Sequence, residues 1–214
     1  NIEDEKEATS LAKADDGTIY YGGGGVFGYI TFTDSGKLDY KSLSQSLPEK
    51  EKEFGNVWAV HAIGKDLFFC ANERIFWFQN KKYVKSFTPT GEKFHTFFKA
   101  NNMLLVREQG VGLLFFKNGA LHKILGSGEL ADTRVYSVIP IDDNLYWLCS
   151  RNGLYTLYFN SNKPEISNLA KANSPIDSWL SDNHIYCGAK ISKDLFALGS
   201  IKKGLILIDR NYKV

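Results

Sequence analysis

The chain repeats itself, and the repeat leaves few folds open. An apolar run, a polar turn and a second apolar run occur together five times. The copies are Thr18–Gly22 with Gly28–Phe32, Asp66–Ala71 with Ile75–Gln79, Asn102–Arg107 with Gly112–Phe116, Asn144–Ser150 with Gly153–Tyr158, and Asp194–Gly199 with Gly204–Asp209. Gly28, Gly112, Gly153 and Gly204 stand at or near the start of the second run, and Arg74 takes that place in the second copy. The intervals between these positions are 46, 38, 41 and 51 residues, about 44 on average. Four copies have a preceding run, at Asn56–Val60, Phe94–Phe98, Val135–Ile139 and Ile185–Ala189. A more polar run follows at Leu38–Leu43, Lys82–Ser86, Ala120–Ile124 and Glu165–Ala170. Four short strands every 40 to 50 residues is the pattern of a propeller blade.

The middle runs do not alternate. Leu67-Phe68-Phe69-Cys70 and Ile75-Phe76-Trp77-Phe78 are apolar throughout, as in a sheet covered on both faces. The polar fourth run suits a solvated outer edge. The sequence therefore predicts an all-β fold, a β-propeller of four-stranded blades with about five blade units present. The units span 8–54, 55–89, 90–132, 133–183 and 184–214, after a polar leader at 1–7. One short helix is expected at Pro175–Leu180, between Asn173-Ser174 and Ser181-Asp182-Asn183. A β-sandwich is the competing architecture, but it has no need of the long period.

Composition narrows the function. A hydrophobic fraction of 43% supports a sizeable core, and a net charge of +2 gives no reason to expect nucleic acid or an anionic membrane as partner. No stretch approaches the roughly 20 apolar residues of a membrane span. Cys70, Cys149 and Cys187 are odd in number, lack Cys-x-x-Cys spacing and sit in apolar runs, so they read as small buried hydrophobes and not as a zinc or redox site.

Little points to catalysis. Gly22-Gly23-Gly24-Gly25 lacks the Gly-Lys-Ser/Thr ending of a phosphate loop and reads as a hairpin turn. His61, His95, His122 and His184 fall in different units without an acidic cluster, so no metal or cofactor is expected. There is no Gly-x-Ser-x-Gly elbow. Asp15-Asp16 and Asp142-Asp143 lie where Asp forms turns. Trp77 and Trp147 sit inside apolar runs, Trp58 is in an inner strand, and Trp179 is on the expected helix, where it would dock between blades.

The turn between second and third strands carries a cation in four units: Arg74, Arg107, Arg151 and Lys202-Lys203. Equivalent loops of propeller blades gather on one face, so such cations favour an anionic ligand such as an acidic or sulfated sugar. Glu108 and Asn152 are polar neighbours suited to hydroxyls. The candidate ligand-binding set is thus Arg74, Arg107, Glu108, Arg151, Asn152 and Lys203. The bland alternative is that these turns are simply polar and solvated.

Several strings at blade spacing carry a family resemblance. They are Asp16-Gly17-Thr18-Ile19-Tyr20-Tyr21-Gly22 with Val26-Phe27-Gly28-Tyr29-Ile30, then Ser42-Leu43, Phe54-Gly55-Asn56-Val57-Trp58, Gly110-Val111-Gly112-Leu113-Leu114 and Gly204-Leu205-Ile206-Leu207-Ile208-Asp209. From about Ala8 onward the chain resembles the two-component regulator propeller family, the sensor propellers of hybrid histidine kinases in Bacteroides-type bacteria. The resemblance implies a seven-bladed, periplasmic sensor, followed in its receptor by a tyrosine-rich domain, a membrane helix and a kinase or DNA-binding region. It also implies an oligosaccharide ligand and a homodimeric receptor, with no catalysis and no nucleic acid bound by the sensor itself. The chain departs from the pattern with five units, the last lacking an outer strand, and Asn1–Lys6 is too charged for a closing strand. The expectation is a segment whose partners include the remaining blades and downstream receptor domains, or else a five-bladed outlier. The function expected from the other class is a protein-interaction or structural propeller without a small ligand.

Overall fold

The computed structural model describes residues 7–214; Asn1–Lys6 lies outside the described residues. The chain divides into two compact units, Asn1–Leu104 and Leu105–Val214. Strands β1 (Ala8–Lys13), β2 (Ile19–Gly23), β3 (Val26–Phe32) and β4 (Leu38–Ser42) form the first sheet, in that order. The second is β5 (Val57–Ile63), β6 (Asp66–Ala71), β7 (Ile75–Gln79) and β8 (Lys82–Phe87). The third is β9 (Phe94–Ala100), β10 (Met103–Glu108), β11 (Gly112–Lys117) and β12 (Ala120–Lys123), and the unit boundary falls within β10. The fourth is β13 (Val135–Pro140), β14 (Leu145–Ser150), β15 (Gly153–Tyr158) and β16 (Asn168–Lys171). After helix α1 (Asp177–Asn183) comes a three-stranded fifth sheet of β17 (Ile185–Lys190), β18 (Phe196–Ser200) and β19 (Leu205–Ile208). Every sheet is a meander of sequential neighbours. Among the described residues no helix is long and apolar enough to cross a membrane.

The repeat extends to a detail the sequence hides. Four innermost strands shift register near their start, between Ala8 and Ser10, Val57 and Ala59, Val135 and Ser137, and Ile185 and Cys187. A bulge there bends the strand and increases its twist. The repeated glycine also finds its reason. Gly112, Gly153 and Gly204 have φ of 120°, 108° and 69°, open to glycine at little cost. Gly28 is kept for space, since a Cβ there would lie 2.0 Å from the Lys41 carbonyl oxygen.

Within the first unit, aromatic side chains fill the gap between the first two sheets. The Phe27 and Phe69 rings stack at 4.0 Å, and Phe54, Phe76 and Phe78 surround Phe27. In the second unit, Ile139, Cys149, Leu154, Leu180, Ile185 and Leu198 form the core between the fourth and fifth sheets. Trp147 closes it against Phe196 and Tyr212.

Several sequence expectations shift, among them the burial of Cys187. β1 was not foreseen, because Ala8–Lys13 is small, polar and largely exposed. The outer strand of the fourth sheet begins at Asn168 and not at residue 165, since Pro164–Ile166 takes a 3₁₀ turn first. The helix starts two residues later than predicted. Asp177 in its first turn accepts hydrogen bonds from the Ser174 hydroxyl at 2.6 Å and the Ser174 N–H at 3.2 Å. It ends where His184 turns left-handed at φ 56°. Trp179 packs partly buried against the core of the second unit. Cys70 and Cys149 are buried, and burial pushes both thiols up, whereas Cys187 is exposed.

Candidate functional site

The six residues singled out from the sequence meet different fates. Arg74 lies in the β6–β7 turn, where its Nη1 donates to the Ser86 hydroxyl at 2.9 Å and lies 3.8 Å from Glu51 Oε2. Burial works against the Glu51 carboxylate, but hydrogen bonds from Tyr83 and Ser86 and the Arg74 charge outweigh it and hold Glu51 below its ordinary value. Arg74 thus has a carboxylate beside it.

Arg107 sits inside β10, not in the turn that follows, and is 2% exposed. Its Nε donates to the Leu130 carbonyl at 3.0 Å and its Nη2 to the Ala131 carbonyl. A strand-end arginine has joined the core and fastens the 127–131 turn. Glu108 beside it is 1% exposed. Lys203 is exposed, and its backbone N–H donates to the Ser200 hydroxyl at 3.0 Å.

Arg151 and Asn152 occupy the β14–β15 turn. Asn152 Nδ2 donates to the Thr133 hydroxyl at 3.0 Å, and the Arg151 N–H donates to the Arg134 carbonyl at 2.9 Å. These bonds fix the turn against the segment entering β13. A cavity of about 240 Å³ opens there, lined by Arg134, Tyr136, Arg151, His184, Ile185 and Ile201. The Ile201 N–H donates to the His184 carbonyl at 3.1 Å, which brings the β18–β19 turn to the same place. The Tyr136 and Tyr186 rings lie 5.2 Å apart beside it.

The lining residues include two arginines, a histidine and a tyrosine, and no acidic residue. Among the described residues neither guanidinium has an acidic partner. Arginine carries donors in a fork geometry that matches an anion. The cleft's volume is below the ~300–1,000 Å³ of sites that enclose a whole small molecule, so it suits one charged group of a larger ligand. Of the sequence candidates the structure brings only Arg151 to this cleft. Arg134, Tyr136 and His184 were missed. Their signal was topological: the connection into an inner strand ends at the same edge of the sheet as the turn between second and third strands.

No family model matches the chain, and no curated protein does. Solved structures do. A catalytically inactive H270A virginiamycin B lyase from Staphylococcus aureus, with quinupristin, is similar at 13% identity over 97% of this chain and 71% of its own, with a TM-score of 0.59. The extracellular domain of a putative hybrid two-component system from B. thetaiotaomicron is similar at 15% identity over 100% of this chain and 28% of its own, with a TM-score of 0.65. The WD40 beta propeller domain of Doa1 is similar at 13% identity over 92% of this chain and 67% of its own, with a TM-score of 0.57. The fold is a β-propeller. These neighbours include a lyase, the extracellular domain of a putative two-component system and a WD40 domain, so at such identities the likeness carries the fold and no residue roles.

Proposed function

We propose that this propeller is the ligand-binding part of an extracytoplasmic, two-component receptor, and that it works by binding alone. In this reading the ligand is an acidic carbohydrate whose carboxylate or sulfate enters the cleft between Arg134 and Arg151. The observation that carries it is the pair of arginines lining one cavity, neither with a carboxylate partner among the described residues. Charge-assisted hydrogen bonds to such an anion are about twice as strong as neutral ones. The likeness to the extracellular domain of a hybrid two-component system supports the receptor setting. The receptor would lie in the periplasm, act as a homodimer and continue into further blades and output domains. Ligand binding would then favour one receptor arrangement in proportion to its preference for that state.

Titration with an oligogalacturonide and with a neutral oligosaccharide of equal length tests the proposal. The acidic ligand should bind, and added salt should weaken it. Arg134→Gln with Arg151→Gln should cost at least about tenfold in affinity, as expected for charged hydrogen bonds worth roughly 1.5–3 kcal/mol. Equal binding of the neutral sugar, or an unaffected double variant, sinks the reading.

A protein-interaction platform is the second reading, favoured by apolar side chains left open on the first and fifth sheets. Leu11, Phe32 and Leu38 are 62%, 71% and 54% exposed, and Leu205 is 60% exposed. It gains ground if neither sugar binds and Leu205→Lys abolishes self-association.

A further inference from the structure

A second cavity lies wholly in the first unit and is chemically unlike the arginine cleft. It measures about 410 Å³ and sits where the β1–β2, β5–β6 and β7–β8 turns meet. That is within the range of sites that enclose a small molecule, about 300–1,000 Å³. Tyr20, Ala62 and Leu67, each less than a tenth exposed, make an apolar floor. The rim carries Asp15, Asp16 and Asp66, with Lys65, Asn80 and Lys81.

The walls are tight turns. Gly17, Gly64, Asn80 and Lys81 all have positive φ, between 49° and 86°, so the rim residues stand on constrained backbone. Two of the acids are held by hydrogen bonds. Asp66 Oδ1 accepts from Trp77 Nε1 and Gln79 Nε2, both at 2.8 Å. Asp16 Oδ1 accepts from the Thr18 N–H at 2.9 Å. The Thr18 side chain also hydrogen-bonds the Asp16 carboxylate. That leaves the second oxygen of Asp66, and the whole Asp15 carboxylate, without a hydrogen-bond donor among the described residues. Of the two lysines, Lys81 lays its ammonium 4.2 Å over the Tyr29 ring. The rim therefore has more carboxylate than cation, and its acceptors are oriented in advance.

We infer that this groove binds a small amine, a ligand of about sugar size whose primary ammonium pairs with the open acceptors of Asp15 and Asp66, with Asp16 adding negative charge beside them. An ammonium brings three donors and a full charge to spare acceptors. A metal ion is the poorer fit, because among the described residues no three acids or histidines form a group able to hold one. The inference stands apart from the proposed function, since it uses other residues and the opposite charge.

Glucosamine, glucose and N-acetylglucosamine share a ring and differ in the ammonium, so they are the probes. The Trp77 indole N–H donates to Asp66, so its NMR signal reports on the groove. Glucosamine should shift that signal saturably, and the other two sugars should bind at least about tenfold more weakly. Asp15→Asn with Asp16→Asn should weaken glucosamine binding by about tenfold or more, and Lys65→Gln should strengthen it. Arg134→Gln with Arg151→Gln should leave it unchanged, which separates this result from failure of the acidic-sugar reading. A silent Trp77 signal, equal binding of glucose, or no effect of the Asp15/Asp16 double variant overturns the inference.

Discussion

The first and second units solve the same packing problem with different residues. In each, an inner strand of one sheet must come close to the sheet before it. In the first unit the preceding sheet gives way: a Cβ on Gly22 of β2 would lie 2.4 Å from Val57 Cγ1 of β5. In the second the following sheet gives way: a Cβ on Gly188 of β17 would lie 2.6 Å from Ile139 Cδ1 and 3.0 Å from Cys149 Sγ. Further out, the first unit fills its gap with phenylalanines around Phe27, while the second relies on aliphatic side chains and Trp147. The close approach is thus common to both, and the choice of which sheet carries the glycine is free. Blade sequences can diverge widely while each neighbouring pair keeps a complementary fit.

The sharpest way to break this comparison is to empty the first unit's aromatic cluster. Phe27 is fully buried and touches four other phenylalanines. Phe27→Ala should destabilise by about 3–5 kcal/mol, read as a lowered midpoint in chemical denaturation. A loss under about 1 kcal/mol would mean that the cluster relaxes freely and that the aromatic filling is incidental.

The second effect is confined to the first unit and depends on pH. His61 on β5 has its Nε2 buried without a hydrogen-bond partner among the described residues. Burial lowers its pKa to about 4, a nearby Lys99 adds to the shift, and a hydrogen bond to the Phe97 backbone opposes it. An unfolded histidine titrates near 6.5, so the unfolded chain binds the proton first. The folded state is therefore most stable above pH 6.5 and loses stability as pH falls toward 4. A shift of this size corresponds to something on the order of 3 kcal/mol. His61→Gln should flatten the stability profile between pH 6.5 and 4.5, above the range in which Glu51, itself held low, takes up its proton. An unchanged slope would show that this histidine is not the group responsible.

How much of this was legible in the sequence depends on whether a residue's surroundings are local. β6 and β7 match the predicted runs Asp66–Ala71 and Ile75–Gln79 to the residue, because continuous apolar stretches bounded by turns leave no other choice. β1 was invisible, because Ala8–Lys13 owes its place to pairing with β2 and not to its own hydrophobicity. Arg107 shows the same limit at the candidate site. A cation one residue from a strand end can point to solvent or inward, and only the 127–131 turn, with its carbonyls waiting at Leu130 and Ala131, decides for inward. Arg134 and His184 reach the cleft from connections between sheets, which the strand pattern does not register. The amine groove was out of reach for the same reason: three turns distant in sequence build it.

The smallest expected effect sharpens the comparison most, because it sets the two glycines against each other. At Gly22 the added methyl meets Val57, a β-branched side chain whose χ1 is stiff, and also Ser10 Oγ at 2.8 Å. At Gly188 it meets the far ends of Ile139 and Leu198, which turn aside more easily, and the Cys149 sulfur. Overpacking costs about 1–3 kcal/mol, and the lost freedom of glycine in the unfolded chain returns about 0.4–1 kcal/mol. Gly22→Ala should fall near the top of that range and Gly188→Ala near the bottom. Ile139→Val removes the Cδ1 that obstructs the new methyl, so the Gly188→Ala/Ile139→Val double variant should be less destabilised than the sum of its singles. Additive effects would place the strain elsewhere. Equal costs at Gly22 and Gly188 would mean that the sheets themselves move apart, and that the approach is softer than the two tight contacts suggest.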